Sequence, residues 1–143
     1  MKITQISVFL ENRKGRLSEV CSMLGDAGIN IRALTIAETE TFGVLRMVVD
    51  KPSETVDLFR KNGITANRTD VVAAEVPDKP GGLAEVLKTL SDSDVNVEYM
   101  YGFVEKNSEN ALLVFRFDNP DRAAEILRQN GLKVIDEKGI QGL

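Results

Sequence analysis

The stretch Glu11-Asn12-Arg13-Lys14-Gly15-Arg16-Leu17-Ser18-Glu19-Val20 is answered, 66 residues later, by Pro77-Asp78-Lys79-Pro80-Gly81-Gly82-Leu83-Ala84-Glu85-Val86. Carried onward, Glu11–Ile31 falls on Pro77–Val97 with seven of 21 positions identical: Gly15/Gly81, Leu17/Leu83, Glu19/Glu85, Val20/Val86, Leu24/Leu90, Asp26/Asp92 and Asn30/Asn96. Ordinary composition would give about one or two matches. At an offset of 68 the pairs Asp50/Asp118, Pro52/Pro120, Arg60/Arg128, Asn62/Asn130 and Gly63/Gly131 coincide. The change of offset puts two extra residues in the second copy, and the polar run Lys106–Asn110 is where they are expected. Self-similarity at a fixed spacing over most of a chain marks a duplication.

Each copy reads β-α-β-β-α-β. In the first, Lys2–Leu10 is a strand, and Leu17, Val20, Cys21 and Leu24 recur at the i, i+3, i+4, i+7 spacing of a half-buried helix. Gly28 ends that helix. Ile29–Glu38 and Gly43–Asp50 alternate as a hairpin. Pro52 opens a second helix and Asn62-Gly63 closes it, before a short return strand over Ile64–Arg68. The second copy repeats the order with strands at Val71–Val76, Val95–Val104, Ala111–Phe117 and Leu132–Asp136, while the tail Glu137–Leu143 carries no pattern. The reading is therefore an α+β chain of two tandem ferredoxin-like units, 1–68 and 69–143, each an antiparallel sheet with helices on one face. A unit of about 70 residues has a small core and open sheet edges, so the halves are expected to pack together and pairs of chains to form a homodimer. Leu34 and Ile36, opposite Ile29 and Ile31 by strict alternation, suggest that the second sheet face is also covered. Tyr99, Tyr101 and Phe103 form a period-two stripe read as core.

Composition narrows the chemistry. The 143 residues include no His, so His-ligated zinc, a Ser-His-Asp triad and a His general base are excluded. A lone Cys forms no internal disulfide, which suits a reducing, cytoplasmic setting, and Cys21 on the helix stripe reads as core. A net charge of −4 without a Lys/Arg run points away from nucleic acid, and no stretch approaches the ~18 apolar residues of a membrane span. Neither a metal nor a cofactor is expected, and paired-carboxylate catalysis has no cleft to occupy.

Two loop types carry the remaining chemistry. Gly15 and Gly81–Gly82 lie where a strand turns into a helix, a place that offers unpaired N–H groups and a partial positive charge to an anion. The same pattern serves as a plain helix cap. Asn30 and Asn96 open the second strand of each copy. A carboxamide donates and accepts, which suits a zwitterion, and an asparagine there also serves as a turn residue. Arg32 and Glu98, two positions on, are placed to read a ligand side chain.

With these residues the chain resembles the ACT domain, the regulatory small-molecule-binding module of amino-acid metabolism. Asp78-x-Pro80-Gly81-x-Leu83 followed by Val95-Asn96-Val97 is similar to its signature, and Asn12-Arg13-x-Gly15-x-Leu17 with Ile29-Asn30-Ile31 is similar to the serine-sensing ACT module of phosphoglycerate dehydrogenase. The resemblance implies tandem ACT domains without a catalytic domain, and a ligand held between the first loop of one domain and the second strand of another. Carried over, it implicates Asn12, Arg13, Gly15 and Asn30, and Asp78, Gly81, Gly82 and Asn96, as ligand-binding. Leu10 stands where the serine-sensing module has histidine, so serine is not the expected ligand. Asp78 in place of Asn12 would repel a carboxylate and attract an ammonium, so the two loops are not expected to bind alike.

The implied function is a non-catalytic sensor, binding an amino acid and acting on a target enzyme. An alternative is a regulatory subunit similar to the small subunit of acetolactate synthase, against which the full second repeat argues. Another is a small enzyme resembling acylphosphatase, with Arg13 or Arg16 and Asn30 cradling phosphate, although its Gly-x-Val-x-Gly loop is missing.

Overall fold

A computed structural model describes residues 1–104 and 109–143. Most of the Lys106–Asn110 run, expected to hold the two-residue insertion, lies outside the described residues. Contacts divide the chain into two units, Thr4–Thr69 and Asp70–Leu143 with Met1–Ile3.

In the first unit β1 (Ile3–Glu11), α1 (Arg16–Asp26), β2 (Ile31–Glu38), β3 (Phe42–Val49) and α2 (Pro52–Lys61) follow one another, and the opening residues of β4 (Ala66–Pro77) close it. β3 pairs antiparallel with β1 and with β2, and β4 neighbours β1. Period-two alternation turns Ile6, Val8 and Leu10 of β1 to the same side as Leu45, Met47 and Val49 of β3. Val20 and Leu24 from α1, and Val56 and Phe59 from α2, cover that side. Fully burying a side chain such as Phe59 stabilises the unit by about 1.5–3 kcal/mol. α1 stops because Gly28, at φ +72°, takes the left-handed conformation that side chains disfavour.

The second unit runs through the rest of β4, α3 (Gly82–Asp92), β5 (Val97–Gly102), β6 (Asn110–Phe117), α4 (Pro120–Gln129), β7 (Val134–Ile135) and α5 (Glu137–Gln141). Its strands lie in the order β5-β6-β4-β7, all antiparallel. Val72, Ala74 and Val76 meet Val86, Leu90 and Leu127 in a core of the same design. Phe115 and Phe117 stack within it at 5.4 Å between centroids. At the place of Gly28 stands Asp94, itself left-handed at φ 58°, which aspartate tolerates better than most residues.

Three expectations are corrected and a fourth is refined. β4 is one strand, where a return strand over Ile64–Arg68 and a new one over Val71–Val76 are expected. The tail is helical at α5, because the Asp136 carboxylate accepts the Gly139 N–H and caps it. Leu34 joins Ile31 in the helix-covered core instead of facing away from it, because a bulge between Ile31 and Ala33 shifts the alternation by one residue. The matching bulge between Val97 and Tyr99 sends Val97 and Met100 to the core. Tyr101 is buried as expected, but on the side of the strand opposite that helix-covered cluster, and Tyr99 shares its side.

Candidate functional site

Both strand-to-helix loops have one backbone design. Gly15 precedes α1 at φ +85°, ψ −9°, and Gly81 precedes α3 at φ +81°, ψ −9°. A left-handed residue turns the chain sharply into the helix, and in neither case does a side chain cap the first turn. The early N–H groups, those of Leu17 and Ser18 in α1 and of Leu83 and Ala84 in α3, are thus available to a ligand acceptor.

The side chains around the two turns differ. At the first loop the Asn12 N–H donates to the Thr41 carbonyl at 2.8 Å and the Asn12 carboxamide donates to the Thr39 carbonyl at 2.9 Å. These bonds tie the loop to the β2–β3 hairpin. Arg13 reaches Glu11 at 3.1 Å and Glu19 at 3.3 Å, and Arg16 reaches Glu19 at 3.1 Å. The Arg16 guanidinium, followed by that of Arg13, holds the Glu19 carboxyl below its ordinary range, and Glu11 followed by Glu19 raises Arg13. At the second loop Lys79 stands in place of Arg13 and Gly82 in place of Arg16. A Cβ at Gly82 would lie 2.1 Å from the Pro77 carbonyl oxygen, so glycine there lets α3 approach the end of β4. Packing is by itself enough to require glycine there.

Asn30 and Asn96 stand at the other end of their units. The Asn30 N–H donates to the Asp50 carboxylate at 2.9 Å, and the Asn96 N–H donates to that of Asp118 at 3.1 Å. Each aspartate returns its own N–H to the asparagine carbonyl, at 3.1 and 3.2 Å. The aspartates therefore satisfy the turn, and among the described residues the exposed Asn30 and Asn96 carboxamides have no partner. Glu11 sits opposite Phe42 on β3, and Ile31 sits opposite Val49, seven residues along. At about 3.3 Å per residue, the Asn12 and Asn30 ends of the first unit are ~23 Å apart. The second unit has the same span, between Asn110 opposite Pro77 and Phe117 opposite Val97. Neither unit brings its own loop and its own asparagine together.

A 160 Å³ cavity lies against the first loop, with Leu10, Leu17 and Ile36 as its apolar lining and Asn12, Arg13 and Glu38 among its polar lining. Glu98 is held by Arg116 at 3.2 Å. Among the described residues no group of three or more His, Cys, Asp or Glu is placed to hold a metal ion, and no helix is long and apolar enough to cross a membrane. Sequence reasoning passes over Asp50, Asp118, Ile36 and Glu38. The coincidence of Asp50 with Asp118 in the repeat is a signal for the first two, whereas the cavity residues converge only through the fold.

A family model described as an ACT domain pair matches residues 1–143, both repeats and both loops. The chain belongs to the ACT domain family. ACT domains are regulatory, ligand-binding modules, and that role extends to this pair. The crystal structure of protein BT0572 from Bacteroides thetaiotaomicron is 39% identical, covers 100% of this chain and 98% of its own, and superposes with a TM-score of 0.92. The ligand-free regulatory subunit of aspartate kinase from Thermus thermophilus shares the fold at 16% identity and a TM-score of 0.63, over 88% of this chain and 91% of that one. Its counterpart from Thermus flavus does so at 14% identity and 0.61, over 88% and 90%. No curated protein sequence matches the chain.

Proposed function

We propose that this ACT domain pair is a non-catalytic sensor of a free amino acid. The observation that carries the reading is the repeated left-handed glycine at Gly15 and Gly81, which in both units presents an uncapped helix start to a carboxylate. Unpartnered carboxamides at Asn30 and Asn96 support it, since each keeps a donor and an acceptor for a ligand. Because ~23 Å separates the two ends within a unit, a ligand held at one glycine loop is out of reach of that unit's own asparagine. A ligand so held favours one arrangement of domains over others by its difference in affinity between them. A cytoplasmic enzyme of amino-acid metabolism is the proposed reader, and exposed Phe9 and Phe42 support a homodimer.

A thermal-shift screen against the twenty amino acids tests this. Ligand at 100 times its dissociation constant adds about 2.7 kcal/mol, a rise of roughly 5–10 °C for a chain of this size. A flat response to all twenty would remove the reading. Turnover of an acyl phosphate would replace it with the acylphosphatase-like alternative.

A further inference from the structure

The cavity at the first loop carries the reading one step further. It holds 160 Å³, well under the ~300 Å³ at which pockets for drug-sized molecules begin, so it has room for one small side chain. Leu10, Leu17 and Ile36 supply apolar surface to it. Leu17 and Ile36 leave 39% and 45% of their surface exposed, so this apolar lining is open to a further group. A hydroxyl set against these three residues gains no hydrogen bond from them and gives up part of its hydration, weakening binding about ten-fold relative to an aliphatic group. The polar lining is not neutral in effect. Arg13 is already engaged by Glu11 and Glu19, whereas Glu38, among the described residues, has no ion-pair partner. What fits is a ligand with an aliphatic end and a nearby positive charge.

We propose that this cavity receives the aliphatic side chain of an amino acid, with the Glu38 carboxylate beside the ligand's ammonium. The inference rests on the amino-acid-sensing reading above and adds the class of ligand. It also assigns the selective site to the first unit. The repeat puts Gly102 at the place of Ile36 and Val104 at the place of Glu38, so the second copy lacks both the Ile36 side chain and the carboxylate.

Calorimetric titration of the full chain with valine, leucine, isoleucine, serine, threonine, aspartate and lysine tests it. The aliphatic three should bind about ten-fold or more tighter than serine and threonine. Ile36→Ala should widen the cavity and move the preference from valine toward leucine. Glu38→Gln should weaken aliphatic binding about two- to five-fold, as expected for losing one exposed ion pair, with an unchanged melting temperature without ligand. A hydroxylated or charged amino acid binding best, or an unchanged ranking in Ile36→Ala, would overturn the inference and leave the sensor reading standing. Binding of none of the seven, together with a flat twenty-amino-acid screen, would overturn both.

Discussion

The Asn30 backbone is held by Asp50 from both sides: the asparagine N–H donates to the aspartate carboxylate at 2.9 Å and the aspartate N–H donates to the asparagine carbonyl at 3.1 Å. The turn is thereby closed without the asparagine carboxamide. Asn30→Ala should change unliganded stability by less than about 0.5 kcal/mol in urea titration while abolishing the ligand-induced thermal shift. Asp50→Ala should cost about 1 kcal/mol by removing the acceptor of the Asn30 N–H. If Asn30→Ala proves the more damaging of the two to the unliganded protein, the residue is structural.

Gly81 and Gly82 are adjacent and fail for different reasons. Gly81→Ala strains a left-handed residue in open space and should cost about 1–2 kcal/mol. Gly82→Ala drives a Cβ to 2.1 Å from the Pro77 carbonyl oxygen, so it should cost more, about 3 kcal/mol, or leave the second unit unfolded. Chemical denaturation of both variants gives the order.

Acid should loosen the first loop through Glu19. Arg16 and Arg13 lower its folded-state pKa from the ordinary 4.5, so the unfolded chain binds its proton first as pH falls. The stabilisation is complete above about 4.5 and disappears as pH drops through the lower folded value. In Glu19→Gln the stability-against-pH curve should be flatter below pH 4.5, and 1 M salt should shrink the difference, because the groups are exposed. Identical acid limbs would contradict the pairing.

Cys21 should be a slow nucleophile. Burial raises its thiol above the ordinary 9.0, so almost no thiolate exists at neutral pH. Iodoacetamide at pH 7.5 should label the folded protein several-fold more slowly than the urea-unfolded one. Equal rates would place the thiol in solvent.

Much of this was legible from periodicity and repetition. Leu17, Val20, Cys21 and Leu24 mark α1 by spacing, and the paired glycines and asparagines mark both copies, because helix stripes, helix ends and tight turns are local properties of a chain. The bulges at the start of β2 and β5 were not legible. A bulge adds no distinctive residue but inverts the alternation after it, which is why Leu34 joins the helix-covered cluster and Tyr101 is buried on the opposite side of its strand. The cap of α5 had a visible sign in Asp136-x-x-Gly139, overshadowed by the glycines of the tail.

The residues by themselves determined the duplicated βαββαβ order and the position of both strand-to-helix turns, since these follow from spacing along the backbone. Tertiary structure decided which side chains meet. Strand pairing sets Asn12 and Asn30 at opposite ends of one unit, gives the turn to Asp50 instead of the asparagine side chain, and gathers Leu10, Leu17, Ile36 and Glu38 around one cavity from three separate elements. Such convergence depends on register between strands distant in sequence, and no local pattern encodes it.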